Sequence, residues 1–456
     1  MVFTQAEFVI FFVIVLVAAW ACRERVARNT VLLAASYYFY AYWDIRFCGL
    51  LLLSTFVDDT VARKIESNDD QAIRKRWLVV SLVFNLGILG FFKYCNFFID
   101  SASAVIEPWG WSTSTLPIIL PVGISFYTFQ TMSYTIDVYR RRLHASNRPL
   151  DFALYVAFFP QLVAGPIVRA SELLPQLASV PTWSGRRFYG GFQQLLRGAV
   201  KKVLIADRMG EMVDVVFAGP DLYSGATLCV AIVAYTGQIY YDFSGYTDMA
   251  IGAAKMLGYR FPNNFRHPYL ATSISDFWRR WHMTLSRWLR DYVYIPLGGS
   301  RFGSVMTYRN LMLTMGLGGL WHGAAWTFVL WGLWHGGSLA VHRAFRFPVP
   351  RCVGWVLTMG VVMIGWILFR SPDLAAADQF MFGIVRQRAG IDWFPPLVIA
   401  AITCMVLEHA AWTTRLRLAM RLPADAWYSP IATTVMLWAL VLYSPRGFQP
   451  FVYFQF

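Results

Sequence analysis

Apolar residues form long runs along almost the whole chain, and polar residues gather in the short segments between them. A helix needs about 20 apolar residues to cross a bilayer, so the longer runs predict membrane-spanning helices. The shorter runs predict re-entrant or interior helices, which are tolerated where protein buries them. We expect an all-α polytopic membrane protein with about 10–12 membrane helices. The runs lie near residues 7–22, 31–57, 77–99, 116–136, 152–168, 193–206, 222–241, 245–258, 311–341, 353–369, 393–413 and 427–444.

The composition supports this fold class, since 57% of the residues are hydrophobic and only 14% are charged. Soluble domains carry about 25% charged residues. The low charge extends over the whole chain, so we expect a single integral-membrane domain over residues 1–456. The net charge of +14 comes from basic residues between the apolar runs. That distribution is typical of cytoplasmic loops and argues against nucleic-acid binding.

The first charge cluster follows the first apolar run and does not precede it. Arg23, Arg25 and Arg28 come directly after residues 7–22. A cleavable signal peptide has its basic residues ahead of the apolar segment. We therefore expect a retained first span, with a periplasmic N-terminus and cytoplasmic arginines. None of the six cysteines forms a CxxC pair, so we expect no metal site and no disulfide framework.

His322 lies inside 311–341, a run without Asp, Glu, Lys or Arg. A titratable group at membrane depth is costly, which makes His322 a candidate for a functional site. An imidazole is well suited to accept a proton from a hydroxyl nucleophile. Gly319 and Gly323 beside it allow a backbone or a ligand to approach closely. The alternative is a structural imidazole that is hydrogen-bonded across helices.

The sequence around His322 is repeated once, since Trp321–Gly323 and Trp334–Gly336 both read Trp-His-Gly. The offset of 13 residues corresponds to about 220° around a continuous helix. The two imidazoles would then point to different sides. We interpret His335 as a packing residue.

The most distinctive polar stretch runs from Asp276 to Asp291. On a helical wheel its tryptophans, Trp278 among them, share one face, and its arginines cluster opposite. This pattern is typical of an interfacial helix in the headgroup plane. The arginine row alternatively indicates a site for an anionic ligand, such as the phosphates of an acyl donor. His282 lies at the border of the aromatic face, where it can point into a polar cavity. The arginines of the row are Arg279, Arg280, Arg287 and Arg290.

Further polar residues interrupt the apolar pattern upstream. Asp242 and Ser244 lie in an otherwise apolar region, where a carboxylate needs a partner. Pairing with a nearby arginine and support of a functional site both remain open. Asn263 or Asn264, in the turn-rich segment 261–268, is a candidate to support the site by hydrogen bonding, with a plain loop as the alternative.

Taken together, these residues resemble the membrane-bound O-acyltransferase family. Phe277–His282 and Leu320–Trp326 carry two histidines 40 positions apart, as in that family. Further stretches resemble its bacterial polysaccharide-acetylating branch, typified by alginate O-acetyltransferases. These stretches are 121–130, 158–166, 241–245 and 292–300.

The resemblance implies a fold and a set of site residues. The fold is a ring of helices around a thinned centre, with a transmembrane tunnel. The principal catalytic histidine of the family corresponds to His322, and the second polar residue corresponds to His282. Beside these two histidines, our candidates for substrate-binding or supporting roles are Trp321, Asp242, Ser244, Asn264, Trp278, Arg279, Arg280, Arg287 and Arg290.

The resemblance also implies a reaction and partners. We expect acetyl-CoA as the cytoplasmic acyl donor, no bound cofactor or metal, and a location in the bacterial inner membrane. The acceptor would be an exported polysaccharide such as alginate. Because we see no appended soluble acetyltransferase domain, we expect a periplasmic SGNH-type partner.

Two alternatives stay open. The D-alanine-exporting branch of the same family shares a motif similar to 277–286 and uses a carrier-protein thioester. A non-enzymatic transporter would use both histidines in a proton relay, but the two similar halves common in transporters are not visible in this sequence.

Overall fold

A computed structural model describes residues 1–110, 114–163, 165–345, 349–386, 390–413, 423 and 426–443. Over these ranges the chain is helical and contains no strand, so the all-α class is confirmed. The α-helices are α1 Ala6–Ala21, α2 Arg25–Ala41, α3 Arg46–Glu66, α4 Gln71–Leu89, α5 Cys95–Ile106, α6 Ile124–Tyr139, α7 Pro149–Ala157, α8 Phe159–Leu162, α9 Ala170–Leu177, α10 Gly185–Val200, α11 Asp207–Ala218, α12 Gly225–Met256, α13 Ile274–Trp278, α14 Met283–Leu289, α15 Gly303–His322, α16 Trp326–Ala344, α17 Arg351–Arg370, α18 Leu374–Arg386, α19 Pro396–Thr413 and α20 Tyr428–Tyr443. Short π-helical segments are Gly90–Tyr94, Lys201–Ala206 and Arg290–Tyr294, and 3₁₀ turns are Glu107–Trp109, Pro220–Leu222 and Pro268–Leu270.

Three helical stretches in the described ranges are long and apolar enough to cross a membrane. They are Gln71–Trp109, Arg351–Arg370 and Pro396–Thr413. The helices α1 and α20 are also apolar but shorter. Apolar side chains on these helices point outward, as Val17 of α1 does with 68% of its surface exposed. Such exposure fits helices whose outer faces contact lipid.

Two of the apolar runs have different helix boundaries from those expected. The runs 222–241 and 245–258 form one helix, α12, and Asp242 between them pairs with Lys202 without ending the helix. The run 311–341 instead breaks after His322 into the hairpin of α15 and α16. The hairpin is tight, since a Cβ on Gly319 would overlap the carbonyl oxygen of Phe328.

By their packing, the residues fall into two compact units. One comprises Met1–Phe192 with Ala250–Pro262, and the other comprises Gln193–Met249 with Asn263–Phe456. The single domain expected over residues 1–456 stays a prediction.

A polar network holds three helices of the first unit together. Asp58 of α3 is fully buried and accepts hydrogen bonds from Ser81 Oγ at 2.6 Å and Asn85 Nδ2 at 2.9 Å, both on α4. Thr131 of α6 donates to Asn85 Oδ1 at 3.1 Å. A buried carboxylate needs such donors, so this network specifies how α3, α4 and α6 meet.

Two buried arginines of the first unit bind the carbonyl ends of helices. Arg74 donates to the carbonyl oxygens of Ile65 and Tyr139, each at 2.9 Å, near the ends of α3 and α6. Arg28 donates to the carbonyl oxygen of Leu257 at 2.6 Å, directly after α12. The last carbonyls of a helix lack intrahelical hydrogen-bond donors and carry partial negative charge. The guanidinium groups supply both the missing donors and a positive charge.

In the second unit, α10 and the π-helical segment after it cross α12 at two glycines. A Cβ on Gly198 would lie 2.5 Å from the carbonyl oxygen of Gly245, and a Cβ on Gly245 would lie 2.7 Å from that of Gly198. The ion pairs of Lys201 with Asp248 and of Lys202 with Asp242 join the same two elements. The helices can approach this closely only because both positions lack a side chain.

Candidate active site

The chain around His282 is bent and is not one helix. The prediction of one continuous amphipathic helix over 276–291 is wrong, because α13 ends at Trp278 and α14 begins at Met283. His282 lies between them with φ +40°, in the left-handed region. Backbone hydrogen bonds to the segment 264–266 replace the missing helical ones, since Met283 N donates to Asn264 O at 2.9 Å and Arg266 N donates to Arg280 O at 2.9 Å.

Asn264 holds the His282 ring in this bend. His282 is fully buried, and its Nδ1 lies 3.1 Å from Asn264 Oδ1. The same oxygen accepts from the backbone N–H of Thr284 at 3.1 Å and from its hydroxyl at 2.9 Å. The hydrogen bond anticipated for Asn264 is therefore present, and it also caps the first turn of α14.

His322 is the last residue of α15 and lies beside His282. The two ring centroids are 6.3 Å apart, although the residues are 40 positions apart in sequence. Trp321 bridges the pair, at 6.1 Å from the ring of His282 and 5.0 Å from that of His322. The rings of Trp331 and Phe369 pack against His322 at 5.0 and 5.3 Å. The two histidines predicted from sequence are thus brought together in an aromatic setting.

A cavity of about 680 Å³ opens beside His322 in the second unit. Its wall includes Gly318, Trp278 and Trp331, and the ring of Trp331 lies 5.0 Å from that of His322. The wall also carries five arginines, namely Arg266, Arg279, Arg280, Arg287 and Arg290. The cavity therefore joins a positively charged region to the imidazole of His322, whereas His282 is not part of its wall.

Few carboxylates balance these arginines. Asp276 lies 2.9 Å from Arg280 Nε and 3.7 Å from Arg279, and Asp291 lies 2.7 Å from Arg290 Nε. The wall therefore keeps a positive excess that favours an anionic ligand. All four arginines of the row line the cavity, although not from one continuous helix, and their binding of an anionic ligand stays a prediction.

Sequence reasoning missed the fifth arginine, Arg266. Its backbone N–H pairs with the carbonyl oxygen of Arg280, and this pairing brings it to the cavity. The spacing of residues in the sequence does not indicate that Arg266 and Arg280 pair, because this contact forms only when the chain folds.

Asp242 and Ser244 lie away from this cavity. Asp242 pairs with Lys202 Nζ at 2.6 Å, and the same lysine lies 2.7 Å from Asp207. The buried carboxylate thus has a cationic partner, but that partner is a lysine and not the arginine expected. Ser244 is buried in α12 and does not line the cavity.

His335 lies one aromatic layer behind the site. It is fully buried and stacks on Phe277 at 6.3 Å, while Trp278 and Trp331 approach it edge-on at 5.2 and 5.0 Å. Both of these tryptophans line the cavity. His335 thus packs against the residues that shape the cavity.

The described ranges contain no group of three or more His, Cys, Asp or Glu side chains that could hold a metal ion. The described site residues offer imidazole, guanidinium, carboxylate, hydroxyl and aromatic groups.

Comparisons with known proteins find a matching family and relatives that cover most of the chain. The family model described as MBOAT, membrane-bound O-acyltransferase family, matches residues 141–352, which include both histidines. A protein named probable alginate O-acetylase from Azotobacter vinelandii is 44% identical, over 84% of this chain and 79% of that protein. A peptidoglycan O-acetyltransferase from Helicobacter pylori is 38% identical, over 78% and 73% of the two chains. A teichoic acid D-alanyltransferase from Bacillus subtilis is 29% identical over 46% of this chain and 55% of its own length.

Proposed function

Because this chain belongs to the membrane-bound O-acyltransferase family, we propose that it moves acetyl groups from cytoplasmic acetyl-CoA across the inner membrane to an exported polysaccharide such as alginate. The observation that carries the proposal is the cavity that joins an arginine-rich wall to His322. The relatives act, by their names, on alginate and peptidoglycan, which supports a cell-envelope polysaccharide as acceptor.

His322 acts as the general base in this proposal. Its imidazole takes the proton of an acceptor hydroxyl while the oxygen attacks the carbonyl carbon of the acetyl thioester. The new ester C–O bond forms, the C–S bond breaks, and the proton passes to the departing thiolate. Proton transfer by a positioned side chain contributes about 10²–10⁴-fold to a rate.

The arginine wall binds the phosphates of the donor. Coenzyme A is anionic and long, and guanidinium groups pair with phosphate oxygens in a bidentate manner. The cavity, with a volume of about 680 Å³, lies in the range of small-molecule and cofactor sites. The thioester end would then reach Trp331 and His322 while the phosphates stay at the arginines.

In this scheme the acetylated sugar leaves on the periplasmic side, and an SGNH-type partner passes its acetyl group on to the polymer. The Arg23–Arg28 cluster, directly after α1, supports a periplasmic N-terminus by the positive-inside rule. Labelling of single cysteines placed before α1 and after it, from either side of the membrane, tests this orientation.

The test of the reaction is thiol release from acetyl-CoA by the full-length chain in detergent, with alginate oligosaccharide as acceptor. We expect His322→Ala to lower the rate at least about 100-fold. His342→Ala is the matched control, because His342 is an exposed histidine on α16 of the same hairpin. Retained activity in His322→Ala would overturn the catalytic role.

The same assay separates the alternatives. A transporter would release no thiol in detergent, where no gradient exists. The similarity to a teichoic acid D-alanyltransferase makes a D-alanyl carrier thioester the second donor to try. Turnover of that thioester, with none of acetyl-CoA, would assign the chain to D-alanyl transfer.

A further inference from the structure

We infer that Asn264 and Thr284 hold His282 in one tautomer, so that its Nε2 accepts a hydrogen bond from an O–H or N–H of the acyl acceptor. The inference rests on the proposed function and assigns Asn264 and Thr284 as positioning residues for it. It also decides between two roles for His282: holding the acceptor or stabilising charge on the thioester oxygen.

The backbone of Thr284 determines the orientation of the Asn264 amide. A backbone N–H can only donate, so the atom 3.1 Å from Thr284 N must be the amide oxygen. That oxygen also faces His282 Nδ1, at 3.1 Å. Since an amide oxygen only accepts, Nδ1 carries the hydrogen. In a neutral imidazole, Nε2 then holds the lone pair.

The surroundings of His282 keep the ring neutral. The ring packs against Phe243 of α12 at 4.7 Å and near His322 of α15 at 6.3 Å. The charge nearest along α12 is Asp242, which is paired with Lys202. The other neighbouring segments place their charges, Arg266 and the arginines beside His282, in the cavity wall. No carboxylate in the described ranges pairs with His282, and a buried charge without a partner is disfavoured.

Nε2 of His282 is buried without a hydrogen-bond partner among the described residues. A buried polar atom in that state is costly, and an incoming O–H or N–H removes the cost. Nε2 without a hydrogen cannot donate to an oxyanion, so it cannot stabilise developing negative charge on the thioester. It can only accept.

The position of His282 indicates which substrate it serves. His322 lines the arginine-rich cavity and His282 does not, although their rings are 6.3 Å apart. With the donor in that cavity, the acceptor reaches His322 from the side of His282. A sugar acceptor carries several hydroxyls, so one can give its proton to His322 while another is held by His282.

The test uses the full-length chain in detergent, acetyl-CoA and alginate oligosaccharide, with kcat and both KM values measured across pH. The key variant is Asn264→Asp, whose carboxylate still accepts from Thr284 but favours a protonated His282. Protonated His282 can no longer accept at Nε2. In the wild-type chain the acceptor KM should rise below a certain pH. In Asn264→Asp we expect this rise to begin at a pH about one to three units higher, with the donor KM unchanged.

A second pair of variants distinguishes a change in the role of His282 from a folding defect. Thr284→Ser keeps the hydroxyl and should match the wild-type chain, whereas Thr284→Val should raise the acceptor KM about fivefold, as expected for one lost hydrogen bond. A merely structural role would lower yield or stability without moving the pH at which KM changes. Elution of each variant in detergent, compared with the wild-type chain, reports folding.

The outcomes separate the two proposals. A wild-type chain that releases no thiol from acetyl-CoA overturns the proposed function. An active wild-type chain with an Asn264→Asp variant of identical pH profile overturns the role of Asn264. A fall in kcat with an unchanged acceptor KM would instead assign His282 to oxyanion stabilisation, and a shift in the donor KM would place His282 on the donor side.

Discussion

The crossing of α10 and α12 at Gly198 and Gly245 predicts that one substitution has opposite effects at different glycines. In a helix, Gly→Ala removes backbone freedom from the unfolded chain and stabilises by about 1 kcal/mol. Gly360, in α17, has no atom within 4 Å of an added Cβ, so Gly360→Ala should give that gain or part of it. At Gly198 the same Cβ would meet the carbonyl oxygen of Gly245 at 2.5 Å.

The magnitude follows from what must move. Carbon and oxygen atoms at 2.5 Å overlap, and the nearest group is backbone, which cannot rotate away. The helices must therefore separate by several tenths of an ångström, which stretches the ion pair of Lys202 with Asp242, now 2.6 Å long. Overpacking costs about 1–3 kcal/mol. After the helix gain of about 1 kcal/mol is subtracted, Gly198→Ala should lower stability by up to about 2 kcal/mol.

The assay is thermal unfolding of each detergent-purified variant, followed by intrinsic fluorescence. A change of 1 kcal/mol moves Tm by about 2–4 °C in domains of 150–250 residues, and by less in a longer chain. We expect Tm to fall for Gly198→Ala and Gly245→Ala and to stay or rise for Gly360→Ala. Equal increases at Gly198 and Gly360 would refute the close approach of the two helices.

Three further predictions concern single side chains. Lys202→Met should destabilise the chain by about 3–5 kcal/mol, because two buried carboxylates lose their cation, and addition of Asp242→Asn should recover part of that loss in the same unfolding assay. Arg287→Ala should raise the KM for acetyl-CoA about tenfold at low salt, because one phosphate contact is lost. A KM that changes neither with salt nor with the substitution would contradict the phosphate site. Gly323→Ala should lower kcat about 100-fold while the chain still folds, because the added Cβ would overlap the ring of Phe328 and displace His322. Normal turnover would show that catalysis tolerates this displacement of His322.

Motifs and apolar runs predicted part of this structure because they record local preferences. The all-α class follows from run length, and the pairing of His282 with His322 follows from two motifs that resemble one family. The turn-rich segment 261–268 indicates an asparagine that can support the site, but its pattern does not indicate His282 as the hydrogen-bond partner of Asn264.

The features that escaped prediction depend on contacts between distant segments. The helical pattern of 276–291 is regular, yet the chain bends at His282 because segment 264–266 supplies competing backbone hydrogen bonds. Arg266 reaches the cavity through the same pairing. The partner of Asp242 is Lys202, and their ion pair exists only where α12 meets the segment after α10.

The hydrogen bond of Arg28 to the carbonyl oxygen of Leu257 has a consequence for biogenesis. The two residues lie 229 positions apart, and both belong to the first unit. During synthesis, the residues of α1 and α2 are made long before residue 257. The Arg28 guanidinium already has the carbonyl oxygen of Ala19 as a partner, but its second backbone acceptor is missing until all of Gln193–Met249 has been made. A chain that stops before residue 257 should therefore lack the contact between Arg28 and Leu257 in its first unit and should be degraded by quality-control proteases.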